Sequence, residues 1–325
     1  MGYNREDFVR IKAEFSEKYL KARKEADMRR WELYEKIPEV QVIDAELSGT
    51  GSAIMEVICS GEKNIEEKIE KIKAHNAELL VQRAGLLEVN GYPENYSDIH
   101  YECEKCGDTG YINTKMCDCM RHALIMAGYE SSGLAGLIRS QSFDNFSLDY
   151  YRNSEANYEK MKKVLAMFKR FAEGFYKDAY SNFILMGATG LGKTHLSTAI
   201  AKAVIENGYD VMYVTSVGMI GDFEVKRFGN GTGVEDGNNI KRYYGSDLLI
   251  IDDFGTELSN QFTVSCLYDV INSRINNRRC TIINTNLNQE EIEKKYGERI
   301  ASRLLGEYRP ILFTGFDIRK QKLMK

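Results

Sequence analysis

The chain contains no apolar run long enough to cross a bilayer, no hydrophobic core of a signal peptide, and almost no excess of charge. The first two absences exclude a helical membrane protein and a secreted one, so a cytoplasmic location is expected. Met1-Gly2-Tyr3-Asn4-Arg5 enters a charged helical pattern, and Glu6 stands where myristoylation needs Ser or Thr. Lysine and arginine total 44 against 48 acids, a net charge of −4, so no global basic field draws nucleic acid to the chain. Any such contact must come from a local basic face. Cysteine is also sparse: seven residues, an odd number with four clustered, which argues for a metal site over a disulfide framework. What remains is a 325-residue chain with 43% hydrophobic residues, enough for a sizeable core and, by length, for two domains.

The most informative segment is Gly187-Ala188-Thr189-Gly190-Leu191-Gly192-Lys193-Thr194, between the apolar run 183–186 and a helical pattern opening at His195-Leu196. It is a P-loop. Its glycines let backbone N–H groups turn inward around phosphates, and the helix that follows offers its positive end. Lys193 would reach the β- and γ-phosphates, and the Thr194 hydroxyl would ligate Mg²⁺. The chain is therefore expected to bind a nucleoside triphosphate.

Beyond residue 180, short β-branched runs alternate with helical patterns, which predicts a parallel sheet with right-handed crossovers. The expected strands are 183–186, 211–215, 248–252, 281–284 and 311–314. The third ends in Asp252-Asp253, two acids that are costly to bury unpaired after four apolar residues. Asp252 is the candidate Mg²⁺ carboxylate and Asp253 the candidate base for the attacking water. The fourth strand ends in Asn284-Thr285-Asn286 at the same sheet edge, where Asn286 or Thr285 would contact the γ-phosphate or the water. Arg299 and Arg303, four apart on one helix face, are candidates for an arginine finger; the alternative is a surface ion pair with Glu298 or Glu307. Gly229 to Gly233 and Gly237-Asn238-Asn239 read as a mobile loop, flanked by Lys226, Arg227, Lys241 and Arg242, which would suit a phosphate backbone.

The N-terminal part is expected to be helical over 5–36, which Pro38 ends, and again over 62–89, with a break at Gly91-Tyr92-Pro93. It is either a packing module or a partner-binding surface. Cys103, Cys106, Cys117 and Cys119 follow as CxxC, ten residues, CxC, a donor set that satisfies tetrahedral Zn²⁺, with iron–sulfur ligation as the chemical rival. A structural zinc would contribute on the order of 10–16 kcal/mol of apparent binding energy. Cys59, Cys266 and Cys280 lie in apolar contexts and are expected to be buried fillers.

Taken together, Cys103-Glu104-Lys105-Cys106-Gly107-Asp108-Thr109-Gly110-Tyr111-Ile112, the later Cys117-Asp118-Cys119, the P-loop running into His195-Leu196, and Leu248 to Asp253 followed by Phe254-Gly255-Thr256-Glu257 resemble the DnaC/DnaI-type helicase loaders, in their zinc-containing branch. The resemblance covers about residues 60 to 325 and includes Asn286-Leu287, Glu298 to Leu304 and Gly315 to Arg319. It implies an α/β fold, an AAA+ P-loop NTPase with a five-stranded parallel sheet in the order 5-1-4-3-2. Three regions are then expected: a helical partner-binding part over 1–98, a zinc module with linker helix over 99–140, and the ATPase domain over 141–325. The implied function is delivery of a hexameric replicative helicase to single-stranded DNA, with slow, partner- or DNA-stimulated ATP hydrolysis as the switch and self-association through the ATPase domains.

By the same resemblance, Gly187 through His195 cradle ATP, Lys193 and Thr194 belong to Walker A, Asp252 and Asp253 to Walker B, Asn286 is sensor 1, Arg303 the finger with Arg299 as alternative, and Arg319 sensor 2. Asp253 departs from the glutamate common in the wider superfamily. Two other functions are compatible with parts of the pattern: a transposition helper of the IstB type, and an adaptor that holds nucleotide with negligible turnover.

Overall fold

The computed structural model describes residues 3–59, 64–134, 136–138, 140–175, 180–228 and 234–323. They pack as two compact units, Lys12–Cys119 and, separately, Met1–Ile11 with Met120–Lys325.

The unit of Lys12–Cys119 is built from helices α1 (Arg5–Lys36, from its third turn), α2 (Pro38–Cys59) and α3 (Ile65–Val89). Pro38 ends α1 as expected and also opens α2, where its missing N–H costs nothing in a first turn. Helix α2 falls between the two helical patterns expected from sequence and runs through Gly49 and Gly51; packing supplies what propensity does not. Leu33, Ile37, Val40 and Leu87 are buried together at the junction of these helices. Beside them Glu32 accepts from Lys36 and from the Tyr92 and Tyr96 hydroxyls, and these hydrogen bonds, that of Lys36 foremost, hold its carboxyl down at about 2. A two-stranded antiparallel hairpin, β1 (Tyr111–Ile112) with β2 (Lys115–Met116), lies between the pair Cys103 and Cys106 and the pair Cys117 and Cys119.

The other unit contains α4 (Asp118–Ser131, from Met120), α5 (Glu155–Glu173), β3 (Phe183–Met186), α6 (Lys193–Glu206), β4 (Val211–Thr215), α7 (Ser216–Phe228), α8 (Val234–Gly245), β5 (Leu248–Phe254), α9 (Gln261–Asn276), β6 (Cys280–Thr285), α10 (Gln289–Tyr296), α11 (Glu298–Glu307), β7 (Arg309–Leu312) and α12 (Ile318–Leu323). The five strands β3 to β7 form one sheet in the order β4-β5-β6-β3-β7, with every pair parallel. Counted by appearance within that sheet, this is 5-1-4-3-2 read from the far edge. The strands are almost wholly apolar because both faces are covered. Alternate residues divide between two cores: Phe183, Leu185, Leu248 and Ile250 pack with Phe168 of α5 and Ile200 of α6. Ile184, Met186, Leu249 and Ile251 pack on the opposite side with Met219, Tyr243 and Leu267 of α7, α8 and α9.

Two sequence expectations are corrected. The last strand lies two residues earlier than 311–314, because Pro310 is tolerated in β7, an edge strand that among the described residues pairs only with β3. Gly237-Asn238-Asn239 belong to helix α8, which buries Ile240 and Tyr243 against the sheet and so outweighs poor local propensity. Gly229 to Gly233 lie outside the described residues.

Candidate nucleotide site

The end of β3 and the start of α6 are joined by a turn that only glycine can make. Gly187, Gly190 and Gly192 have φ of 143°, 81° and 87°, and a Cβ on Gly187 would strike the carbonyl of Phe313. The turn delivers Lys193 and Thr194 to the carboxyl edge of the sheet. Lys193 Nζ donates to the carbonyls of Gly187 (2.6 Å) and Ala188 (2.8 Å) and to Asn286 Oδ1 (2.7 Å). Burial pulls its pKa down to about 8, with Asp252 and Asp253 pulling the other way. An ammonium held against carbonyls at such a cost is one waiting for an anion.

Thr194 Oγ1 donates to Asp252 Oδ2 at 3.0 Å. Asp252 is 4% exposed and is also met by the Tyr213 hydroxyl, by Asn284 Nδ2 (2.9 Å) and by the Asp253 N–H (3.0 Å). Four donors satisfy this buried carboxylate at the sheet edge. The phenol of Tyr213 is pushed well up, by burial first and by Asp252 second. Strand alternation would send adjacent acids to opposite faces. Instead, the β5–β6 register breaks between Ile251 and Phe254, and Asp253 takes a φ of 51°. Its carbonyl is pinned by Ser216 Oγ (3.0 Å), Thr256 Oγ1 (2.8 Å) and Thr256 N (3.1 Å), which holds the left-handed backbone in place. The bulge leaves Asp253 facing the cavity beside Lys193, with its carboxyl raised by partial burial and by Asp252.

Thr189, Gly190, Leu191, Gly192, Lys193, Thr194, His195, Asp253, Asn286 and Arg319 all line one cavity of about 300 Å³. Asn286, not Thr285, meets Lys193; the Thr285 hydroxyl is committed to the Phe254 carbonyl at 2.6 Å. His195 Nε2 faces Asn145 Oδ1 (2.8 Å) and the Ser142 carbonyl (3.1 Å), and burial lowers its pKa. Neither Arg299 nor Arg303 is among the residues lining this cavity; Arg303 lies over the Tyr268 ring at 5.9 Å. Arg242, read from sequence as a phosphate contact, is buried and paired with Asp210 at 2.6 Å, so it is removed from that role. Sequence reasoning placed Asn284 at this edge without a role, which its bond to Asp252 now supplies, and missed Tyr213 and the cavity wall of Leu137, Gln141, Phe146 and Tyr150. Tyr213 carried no signal because it sits inside a strand pattern that reads as core.

In the helical unit, Cys103, Cys106, Cys117 and Cys119 place their Sγ atoms within 4.8 Å of one another, with Cys103 to Cys117 at 3.9 Å and Cys106 to Cys119 at 3.5 Å. Asp108 (φ 56°) accepts the backbone N–H groups of Glu102 (2.9 Å) and Cys103 (2.8 Å), and Gly110 O accepts from Cys117 N (2.8 Å), so both halves of the cluster are backbone-braced. Four free thiols converging without a disulfide suit a tetrahedral thiophilic ion. Of the other cysteines, Cys280 is buried as expected, Cys266 is half-buried, and Cys59 is exposed at the end of α2, contrary to the filler role.

A family model described as IstB-like ATP binding protein matches residues 135–307, slightly more than half of the chain. Among curated proteins, the replicative helicase loader DnaC of Buchnera aphidicola subsp. Baizongia pistaciae is 29% identical over 193 residues, covering 58% of this chain and 74% of that protein. The replicative helicase loader DnaC of Escherichia coli K12 is 27% identical over 198 residues, covering 59% and 75%. A crystal structure of the DnaC helicase loader overlays 53% of this chain and 98% of its own at 23% identity, with a TM-score of 0.44.

Proposed function

Because the chain belongs to the IstB-like ATP binding protein family, we propose that it is an ATP-dependent loader that binds a hexameric replicative helicase and delivers it to single-stranded DNA. The observation that carries the ATPase part is the convergence of Lys193, Thr194, Asp252, Asp253 and Asn286 on one cavity edge. There Thr194 and Asp252 would hold Mg²⁺, Lys193 the β- and γ-phosphates, and Asp253 the attacking water. Asn286, already bonded to Lys193, would exchange that bond for the γ-phosphate and so report its presence. Arg319 lines the same cavity and would meet the triphosphate as sensor 2. Arg303, remote from the cavity of its own chain, would serve as finger to a neighbour, with Arg299 on the same helix as the alternative.

The loader assignment is supported by the DnaC names of the relatives matched over 58% and 59% of the chain. In this assignment residues 1–98 hold the helicase, 99–140 form a zinc module with a linker helix, and 141–325 form the ATPase. Hydrolysis is slow and is stimulated by partner or DNA. The deciding experiment is light scattering on a chromatographed mixture of this protein with its host's replicative helicase, with and without ATP. Co-elution is expected and gives the stoichiometry. Separate elution in both conditions overturns the loader assignment and favours the transposition helper, which the name of the family model also suggests; a transposase is then the partner to mix.

A further inference from the structure

Beyond the end of β5 lies a second buried carboxylate that the nucleotide cavity does not use. Glu257 follows Asp253 by four residues, is 4% exposed and is not among the residues lining that cavity. A buried acid destabilises the fold unless donors meet it. Its Oε2 accepts from the Gly255 N–H at 3.1 Å, and its Oε1 accepts from the hydroxyl of Tyr296 at the end of α10. Lys295 Nζ stands 3.7 Å from Oε1 and donates to the Gly255 carbonyl and, at 2.9 Å, to that of Glu257 itself. Burial pushes the pKa of Glu257 up, but hydrogen bonds from Ser216 and Tyr296 outweigh it and hold the carboxyl below its ordinary value.

These bonds converge on the segment that aims Asp253. Ser216, which reaches Glu257, also donates to the Asp253 carbonyl at 3.0 Å. The Phe254 ring lies on the Tyr296 ring with centroids 4.7 Å apart, and the Phe254 carbonyl accepts from Thr285 Oγ1 at 2.6 Å. Gly255 has a φ of 110°, and a Cβ there would strike Leu287 Cδ1 at 2.6 Å, so the segment has no slack toward the β6 end either. A left-handed backbone such as that of Asp253 persists where its surroundings over-determine it. Glu257 is the charged anchor of those surroundings.

We propose that Glu257 is a positioning residue for hydrolysis: by fastening Gly255, Ser216 and Tyr296 to one carboxylate, it locks the β5 bulge in the form that points Asp253 at the attacking water. The inference rests on Asp253 being the base for that water and adds what keeps it aimed. Lys193 and Thr194 make their own bonds elsewhere, so nucleotide binding should not depend on this anchor.

The test measures single-turnover phosphate release and ATP affinity on the full chain for wild type, Glu257→Gln, Tyr296→Phe, Asp253→Asn and the doubles that combine each of the first two with Asp253→Asn. Glu257→Gln keeps the shape but turns one acceptor into a donor, and should slow release about tenfold to a hundredfold, the cost of a displacement of up to about 1 Å. ATP affinity should stay within about twofold, a loss confined to the chemical step. Tyr296→Phe removes one hydroxyl and keeps the ring, and should slow release by about threefold to tenfold, the worth of one hydrogen bond. In the Asp253→Asn background neither change should slow release by more than about twofold, because a residue that acts through Asp253 has nothing left to aim. A carboxylate that only stabilised the interior would slow both backgrounds by the same factor, and that result overturns the inference. So does a wild-type rate in both Glu257→Gln and Tyr296→Phe. If Glu257→Gln no longer binds nucleotide, Tyr296→Phe decides by the same comparison, and loss of affinity there as well overturns the positioning role. Asp253→Asn as fast as wild type instead takes the base role from Asp253, and the inference falls with it.

Discussion

Lys193 shows how one residue ties stability to function in opposite senses. Its pKa is lowered to about 8 by burial, so the folded, nucleotide-free chain sheds a proton that the unfolded chain keeps until about pH 10.5. Below pH 8 both states are charged; between about 8 and 10.5 the unfolded state holds more protons, and the folded state gains stability as pH rises. Nucleotide affinity moves the other way, because a phosphate needs the ammonium. Calorimetric titration from pH 7 to pH 9.5 should show affinity weakening above about pH 8, approaching tenfold per pH unit. A flat profile would mean the cation does not meet phosphate. Asp253, raised by burial and held in its bulge, makes a second prediction at this scale. Asp253→Asn should keep nucleotide affinity and lower the hydrolysis rate by about 10²–10⁴, the usual worth of a positioned base. Single-turnover phosphate release measures it, and an unaltered rate would take the base role from Asp253.

At the scale of elements, the strands and the P-loop were legible because their patterns are local. Apolar runs of four residues, Phe183 to Met186 and Leu248 to Ile251, ended by Gly-x-x-Gly-x-Gly-Lys or by paired acids, define both a strand and the edge at which it stops. Sheet order was legible only through resemblance, since nothing in a single strand states its neighbour. The elements that were missed are those that long-range packing decides. Helix α2 carries Gly49 and Gly51 in its second half, and its start is held by Val40 against Leu33 and Leu87. Helix α8 runs through Gly237 and Asn238, and its later residues Ile240 and Tyr243 are buried in the core. Tyr213 could not be found from sequence, because its role comes from the carboxylate it meets, that of Asp252.

The cysteine hairpin was fully legible in spacing, and its prediction belongs here. β1 and β2 have two residues each, too short to stand without a tie. Purified protein should carry about one zinc per chain by elemental analysis, the capacity of one four-thiolate site. Stripping it with a strong chelator should unfold the 99–119 segment, seen as a gain in amide exchange there, while the sheet unit still binds nucleotide. Bound iron with visible absorbance would replace zinc by a cluster.

At the scale of the whole molecule, the proposed finger role of Arg303 would make hydrolysis a property of more than one chain. Arg303 sits on α11 over Tyr268, and the cavity of its own chain is lined without it. A finger must neutralise charge at the transferring phosphoryl group, which a cation outside the cavity of its own chain can do only at a neighbour's site. Two defective chains should then complement each other. Lys193→Ala cannot hold the triphosphate but can offer Arg303; Arg303→Ala holds it but offers no finger. Each alone should hydrolyse ATP at least about 10³ times more slowly than wild type, the lower range for loss of a finger. Their mixture should recover a substantial fraction of wild-type activity, with a rate that rises faster than linearly with total chain, because active sites form only at junctions between the two variants. A mixture no faster than the sum of its parts would place the catalytic cation on the same chain as the phosphates, leaving Arg319, which lines that cavity, as the residue to change next.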